Sequence, residues 1–311
     1  MAEDFDGLAR KLLLRCPKLG PFIARDLIKS AFHDIVDLWQ WSWLIKRTQL
    51  SVPTAYQTGT ATVTYGSPTA TIATGVVDPS HVGRQFRTGV ASPILTIIDQ
   101  DPITNTYILS ENWRGTGGSG QPFKVYQAYL PMPSDFHKIY SLVDPTTYWI
   151  VQTDGVSLEM IDLRDPQRSV ISSPARVMVP YDYYNGFPRY ELWPHQTTAA
   201  FYLMTYESRP IDPFDPGASI PYLLPPDVIL ERALMYAAKW PGPNRNDPNP
   251  YYSDNTAQFH EKQYDRRISI IIKQDVEHMQ TAIWYQEDQS GNQRNMNASF
   301  MQSHDLASNG W

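Results

Sequence analysis

The 311-residue sequence is poor in the features that mark secreted, membrane and metal-binding proteins. Cys16 is its one cysteine, so an intrachain disulfide is impossible. The helical pattern around Cys16 favours the role of a small buried hydrophobe over that of a nucleophile. No apolar run approaches the roughly 20 residues that cross a bilayer. The acidic segment 1–6 indicates neither a signal peptide nor a transit peptide. These absences predict folding in a reducing cytoplasm.

Charged residues are also scarce, and they are unbalanced in sign. The sequence has 26 Lys and Arg against 32 Asp and Glu, which gives a net charge of −6. A field of this sign repels nucleic acid, so sequence-specific nucleic-acid binding is not expected. The apolar fraction of 42% is enough to bury the cores of two or three compact units.

Four segments near the two ends show the three- and four-residue apolar spacing of amphipathic helices. They cover residues 5–14, 21–38, 227–239 and 254–279. The second has a proline in its first turn, and Ser253 or Asp254 can cap the fourth. Because neither end can bury its apolar stripe alone, we expect the ends to pack together.

The middle of the chain is rich in Thr, Val, Tyr and turn residues. Alternation and closely spaced turns over residues 60–126 predict short antiparallel strands in a small barrel or sandwich. A second β-rich stretch covers residues 129–206, with a short helix near 157–164. A proline-rich linker at residues 209–226 marks a boundary.

The predicted fold class is α+β: a discontinuous helical domain from the N- and C-terminal helices, with inserted antiparallel β modules. The expected segments are N-terminal helices, an inserted β module, a second β-rich region, a linker with the C-terminal helices, and an extended tail. These cover residues 1–52, 53–128, 129–213, 214–279 and 280–311, respectively.

Two loops resemble ligand-binding motifs in part. The glycine-rich segment 115–120 has the spacing that lets amides approach a phosphate, but it lacks the Lys-Ser/Thr that follows such loops, and a flexible hairpin tip is favoured. Asp99, Asp101, Asn105 and Glu111 resemble a calcium loop, which needs a glycine at its sharp turn. Pro102 stands in this turn instead, so a capped β-turn is the favoured interpretation.

Histidines and carboxylates give no pattern typical of catalysis or metal binding. His33, Asp34 and Asp37 fall within about one helical turn, but no second histidine follows at the ligand spacing, and His195 is isolated. A polar helix face and a loop histidine are the favoured interpretations. We expect no metal and no cofactor.

Three carboxylates among tyrosines and tryptophans, Asp182, Glu191 and Glu207, are candidates for glycoside hydrolysis on an aromatic sugar platform. The favoured alternative is that these aromatics are core residues and cross-strand pairs, because large aromatics are enriched in strands. The chain is therefore not expected to be an enzyme.

The C-terminal tail is polar but contains Trp284, Tyr285, Phe300 and Trp311. Burying these four side chains would not offset the entropy lost on ordering about 30 residues. We expect the tail to order on a partner surface, the alternative being a terminus that stays disordered.

Several short segments together resemble the β module of the head-to-tail adaptor (connector, or head completion) proteins of tailed bacteriophages. They include the run from Gly59 to Ser67, Val82-Gly83-Arg84-Gln85-Phe86, residues 94–99, residues 106–109, the run from Tyr129 to Phe136, and Pro225-Pro226-Asp227. The resemblance spans about residues 59–239 and is a pattern of strands and turns.

This resemblance implies a structural virion protein, a homo-oligomeric ring of about twelve subunits. The ring would dock under the portal protein at the capsid vertex and meet tail or nozzle proteins. Genomic DNA would pass through it without sequence-specific binding, after assembly in the host cytoplasm. The C-terminal segment often reaches the portal in such proteins, which makes Trp284, Tyr285, Phe300 and Trp311 the expected assembly interface. The alternative function is a carbohydrate- or receptor-binding tail module.

Overall fold

The computed structural model describes residues 4–89, 91–184, 186–243 and 248–283. These residues divide into two compact units. One contains the described residues up to Trp43 and from Ile211 onward, and the other runs from Leu44 to Pro210. The predicted interface residues Trp284, Tyr285, Phe300 and Trp311 lie outside the described residues, so their role stays a prediction.

The described residues contain five α-helices, which are α1 Phe5–Arg15, α2 Pro21–Leu38, α3 Leu158–Arg164, α4 Pro226–Lys239 and α5 Asp254–Ile283. The predicted bounds of α1, α2 and α4 are confirmed to within one residue. Helix α1 begins after Asp4, whose carboxylate accepts a hydrogen bond from the Gly7 amide at 2.7 Å. None of the described helices is both long and apolar enough to span a membrane.

Polar contacts fix the helices of the first unit to one another. The Asp34 carboxylate on α2 accepts hydrogen bonds from Arg232 on α4 at 2.8 and 2.9 Å and another from the Tyr236 hydroxyl. Asp275 on α5 is fully buried and accepts hydrogen bonds from the amide and the hydroxyl of Ser42. These bonds satisfy carboxylates that would otherwise be costly to bury.

The described residues also form fourteen strands. They are β1 Ile45–Val52, β2 Thr60–Val63, β3 Thr69–Thr74, β4 Gln85–Arg87, β5 Leu95–Asp101, β6 Thr106–Leu109, β7 Gly118–Pro122, β8 Lys124–Tyr126, β9 Tyr129–Pro131, β10 Phe136–Asp144, β11 Trp149–Val151, β12 Val177–Tyr184, β13 Phe187–Trp193 and β14 Ala200–Ser208. They build three antiparallel sheets.

The largest sheet is a curled half-barrel with the strand order β7-β2-β3-β6-β5-β4-β8. Its strands share an aromatic core in which Phe86 contacts the rings of Tyr107, Trp113 and Phe123. Irregular registers in the pairs β2–β3, β2–β7 and β5–β6 mark bulges, which bend strands and help a sheet to curl.

The two smaller sheets share a second core. One has the order β1-β14-β10-β11 and the other the order β12-β13-β9. Leu142, Tyr202 and Met204 from the first pack with Met178 and Leu192 from the second, and all five side chains are almost fully buried. The four-stranded sheet therefore has one face in this core.

The expected fold class, α+β with a discontinuous helical domain and inserted β modules, is wrong. The chain is mostly β, with three antiparallel sheets and only five helices among the described residues. The reason lies in β1 and β10, which the local pattern did not predict. Both pair with β14 and create a four-stranded sheet from segments that are far apart in sequence.

Candidate functional site

The most informative surface of the second unit is the face of the four-stranded sheet that points away from the core. Strand β14 alternates strictly between the two faces. Tyr202, Met204 and Tyr206 are buried, whereas Phe201 and Leu203 are 45% and 44% exposed. Two large apolar side chains of β14 thus point away from the core.

The strand register extends this apolar surface across the sheet. Leu203 lies opposite Val143 of β10, and Val143 lies opposite Ile150 of β11. Ile150 is 58% exposed, and Val143 is half-buried. We call Leu203, Val143 and Ile150, with the neighbouring Phe201, the outer row. Contiguous exposed apolar side chains of this kind mark interaction surfaces.

Polar residues continue the same face beyond the outer row. Thr205 lies between Arg47 of β1 and Ser141 of β10, and Glu207 follows on β14. The Tyr140 hydroxyl donates a hydrogen bond to the Glu207 carboxylate at 2.6 Å. Burial, and then this carboxylate, raise the pKa of Tyr140, so the hydroxyl remains protonated. The apolar row therefore has a polar margin on one side.

The carboxylate candidates for sugar hydrolysis each have a partner of their own. Asp182 forms a two-pronged ion pair with Arg189. Glu191 is fully buried and pairs with Arg168. Glu207 belongs to a different sheet and accepts the Tyr140 hydrogen bond. The structure gives these groups positions in separate polar contacts and does not assemble them around one cleft.

The aromatic side chains near Arg189 pack against one another and against its guanidinium. The rings of Tyr129 and Tyr181 stack with their centroids 3.8 Å apart. The Arg189 guanidinium lies over Tyr129 at 5.4 Å and over Tyr184 at 4.7 Å. This arrangement agrees with the interpretation of these tyrosines as packing residues, because their faces are already covered.

A buried ionic cluster in the second unit was not predicted from the sequence. The Arg168 guanidinium donates to the carboxylates of Glu191 and Asp162, and His195 lies 3.2 Å from Glu191 through Nε2. Burial alone would lower the pKa of Arg168, but the two carboxylates outweigh it and raise the pKa. Arg168 also has a positive φ of 50°, and no local sequence signal indicated this.

Both loop interpretations can be compared with the structure. Asp101 accepts hydrogen bonds from the Ile103 amide and the Thr104 hydroxyl, so the capped turn is confirmed. Asn105, at a φ of 53°, donates to the carbonyls of Ile72 and Gly75. The glycine-rich segment 115–120 is not simply a hairpin tip, because strand β7 begins at Gly118 and pairs with β2.

Asp34 and Cys16, two further candidates from the sequence, have positions that packing and hydrogen bonding explain. Asp34 is held by Arg232 and Tyr236, not by His33 or Asp37. Cys16 is buried, and burial raises its pKa to about 11, as expected for an unreactive thiol. Among the residues that the structure describes, no group of three or more potential ligands could hold a metal ion.

No family model matches the chain, and no curated protein is significantly similar to it.

Proposed function

We propose that this chain is a structural adaptor that assembles into a ring of about twelve copies and joins the portal at a phage capsid vertex to the tail. The observation that carries the proposal is the outer row, because an apolar row on an uncovered sheet face is typical of a surface used in association. The kind of assembly is what the resemblance of residues 59–239 to phage head-to-tail adaptors implies.

Adjacent copies of the chain are the proposed occupant of the outer row. The same face bears a guanidinium, Arg47, and a carboxylate, Glu207, beside apolar side chains. A neighbouring copy of the chain also carries both signs of charge and apolar side chains, so it can complement this face. If the contact is head-to-tail, repetition by rotation closes a ring.

The segment after α5 is the proposed connection to the portal. It contains Trp284, Tyr285, Phe300 and Trp311, whose large apolar surfaces supply binding energy when buried. About twelve such segments on one ring would act together, so that a weak individual contact becomes tight overall. The net charge of −6 would let DNA pass without adhering.

Light scattering of the purified full-length chain, alone and mixed with the portal protein, tests this function. A complex of ring mass that binds the portal is the expected result. A chain that remains monomeric in both samples would refute the adaptor function.

The second candidate is a carbohydrate- or receptor-binding tail module. It is favoured by the β12–β13 hairpin, where Tyr183 is 74% exposed and Phe187 is 39% exposed. Exposed aromatic rings are suited to stacking on sugars. A glycan-binding assay on the same sample distinguishes the two: a monomer that binds a glycan supports the tail module, and a ring without glycan binding supports the adaptor.

A further inference from the structure

A cavity of about 210 Å³ in the second unit has a mainly apolar wall. It lies where β4, β8, the segment after α3 and the segment after β13 meet. An apolar cavity of about 150 Å³ takes up benzene, and pockets for drug-sized ligands have about 300–1,000 Å³. The space therefore suits a molecule of one or two rings and is too small for a nucleotide. The apolar and aromatic side chains of the wall include Pro122, Phe123, Tyr126 and Ile171.

The cationic side chains of the wall are engaged in contacts of their own. The Arg168 guanidinium pairs with two carboxylates. The Arg87 guanidinium donates to three backbone carbonyls, at 2.8, 3.1 and 3.2 Å. The Lys124 ammonium lies 4.9 Å from the centre of the Tyr126 ring. The wall thus offers a ligand mainly apolar surface, which favours a neutral molecule.

His195 supplies an independent indication of a ligand. The side chain is 2% exposed, and its Nδ1 has no hydrogen-bond partner among the described residues. Its Nε2 lies 3.2 Å from Glu191 Oε1, and because a carboxylate can only accept, the Nε2 proton is assigned to this contact. In the neutral imidazole, Nδ1 is then an acceptor. A buried acceptor without a donor is costly.

The surroundings of His195 fix the position of this acceptor. The His195 carbonyl accepts a hydrogen bond from the Ser172 amide at 3.2 Å, and the centroids of the imidazole and the Tyr126 ring are 5.2 Å apart. Of the two hydrogen-bonded residues His195 and Glu191, only His195 lines the cavity. Because Nε2 is directed to Glu191, Nδ1 is the imidazole nitrogen left for a ligand in the cavity.

We propose that this cavity binds a small neutral aromatic molecule of the indole class, whose ring packs on the apolar wall and whose N–H donates to His195 Nδ1. The N–H of an indole can donate but not accept, so it matches a nitrogen that can only accept. Phe123 and Tyr126 offer aromatic surfaces to the ring, and the Lys124 ammonium attracts the face of such a ring. This ligand site is separate from the outer row and does not depend on the adaptor function.

Ligand-detected NMR titration of the full-length chain with indole tests the proposal. Benzofuran is the matched ligand, because it has the same two-ring shape with an oxygen in place of the N–H. We expect indole to bind about 5- to 150-fold more tightly than benzofuran, the range for leaving one buried acceptor unpaired.

His195→Phe should abolish this preference, because it keeps a ring in the wall and removes Nδ1. Glu191 retains its hydrogen bonds from Arg168 in this variant, so its carboxylate is not left unpaired. His137→Phe, at an exposed histidine of β10, is the control and should keep the preference for indole. A thermal melt checks that His195→Phe is folded, and the comparison of indole with benzofuran on the unaltered chain needs no variant.

An indole ring can enter the cavity as a free molecule or as a tryptophan side chain. The chain has two tryptophans beyond its described residues, Trp284 and Trp311. If one of them occupies the cavity, the double variant Trp284→Ser/Trp311→Ser should bind free indole more tightly than the unaltered chain does. Equal binding by the two chains assigns the site to a free ligand.

Three results would overturn the indole site. Indole could bind neither the unaltered chain nor the double variant at millimolar concentration. Benzofuran could bind as tightly as indole, which would show that no N–H is recognised. A folded His195→Phe variant that keeps the full preference for indole would show that Nδ1 is not the acceptor.

Discussion

Leu203 lies directly opposite Val143 on the uncovered face of the four-stranded sheet. The pairing places apolar side chains of β14 and β10 side by side, and Ile150 of β11 extends the row. Because strand residues alternate between faces, the neighbours Tyr202 and Met204 point into the core. Strand β14 thus packs one face into the core, and its other face is exposed for association.

Neighbouring substitutions on β14 should separate these two roles. Met204→Ala removes a fully buried side chain and is expected to lower the free energy of unfolding by about 2–5 kcal/mol. Leu203→Ala, at an exposed position, should change it by about 0.5 kcal/mol or less. Urea unfolding measured under dissociating conditions checks both values. Equal losses in the two variants would contradict the assignment of the two faces.

Deletion of residues 284–311 should leave a folded protein that no longer docks to the portal. The described part of helix α5 runs to Ile283, so the deletion keeps every described helix and strand. Circular dichroism reports the folding, and co-sedimentation with portal rings reports the docking. Unchanged docking of the shortened chain would show that the portal contact lies elsewhere.

Asp165 should stabilise the second unit in a pH-dependent manner. Its carboxylate accepts hydrogen bonds from the amides of Ser169 and Val170 and from the indole of Trp193. Burial alone would raise the pKa of Asp165, but these bonds outweigh it and lower the pKa. A folded-state pKa below the unfolded value means that this stability is present above about pH 4 and is lost as the pH falls through the folded-state value.

The variant Asp165→Asn tests this linkage. It should lower the free energy of unfolding by about 1–3 kcal/mol at neutral pH, because it leaves buried donors with a poorer acceptor. The difference from the unaltered chain should shrink as the pH falls below about 4. Asp154→Asn, at an exposed aspartate, is the control. A difference that stays constant between pH 7 and pH 3 would be inconsistent with the lowered pKa.

The local pattern predicted the helices well but not the fold class. The apolar spacing of α1, α2 and α4 is contained within each segment, so each helix can be predicted without knowing what it packs against. Strand β10 has two register shifts against β14, and these interrupt the alternation that would have revealed it. Strand β1 follows a tryptophan-rich segment and finds its partner only at residues 200–207.

The candidate surfaces depend on such distant pairings. The outer row requires the registers of β10, β11 and β14 together, and no single strand indicates it. One cavity of the second unit is likewise lined by Arg87, Lys124 and His195, of which His195 is far along the chain from the other two. Sequence spacing carries no information on these contacts, because the fold alone sets them.

The most direct test of the adaptor function is the mass of Leu203→Glu compared with that of the unaltered chain, measured by light scattering over a range of concentrations. A buried carboxylate in an apolar contact is strongly unfavourable. We predict a ring mass for the unaltered chain and for the control Tyr65→Glu, whose exposed tyrosine lies on the half-barrel, and at least about tenfold weaker association for Leu203→Glu. Leu203→Glu rings that form as readily as those of the unaltered chain, or an unaltered chain that is monomeric both alone and with the portal, would contradict the adaptor function.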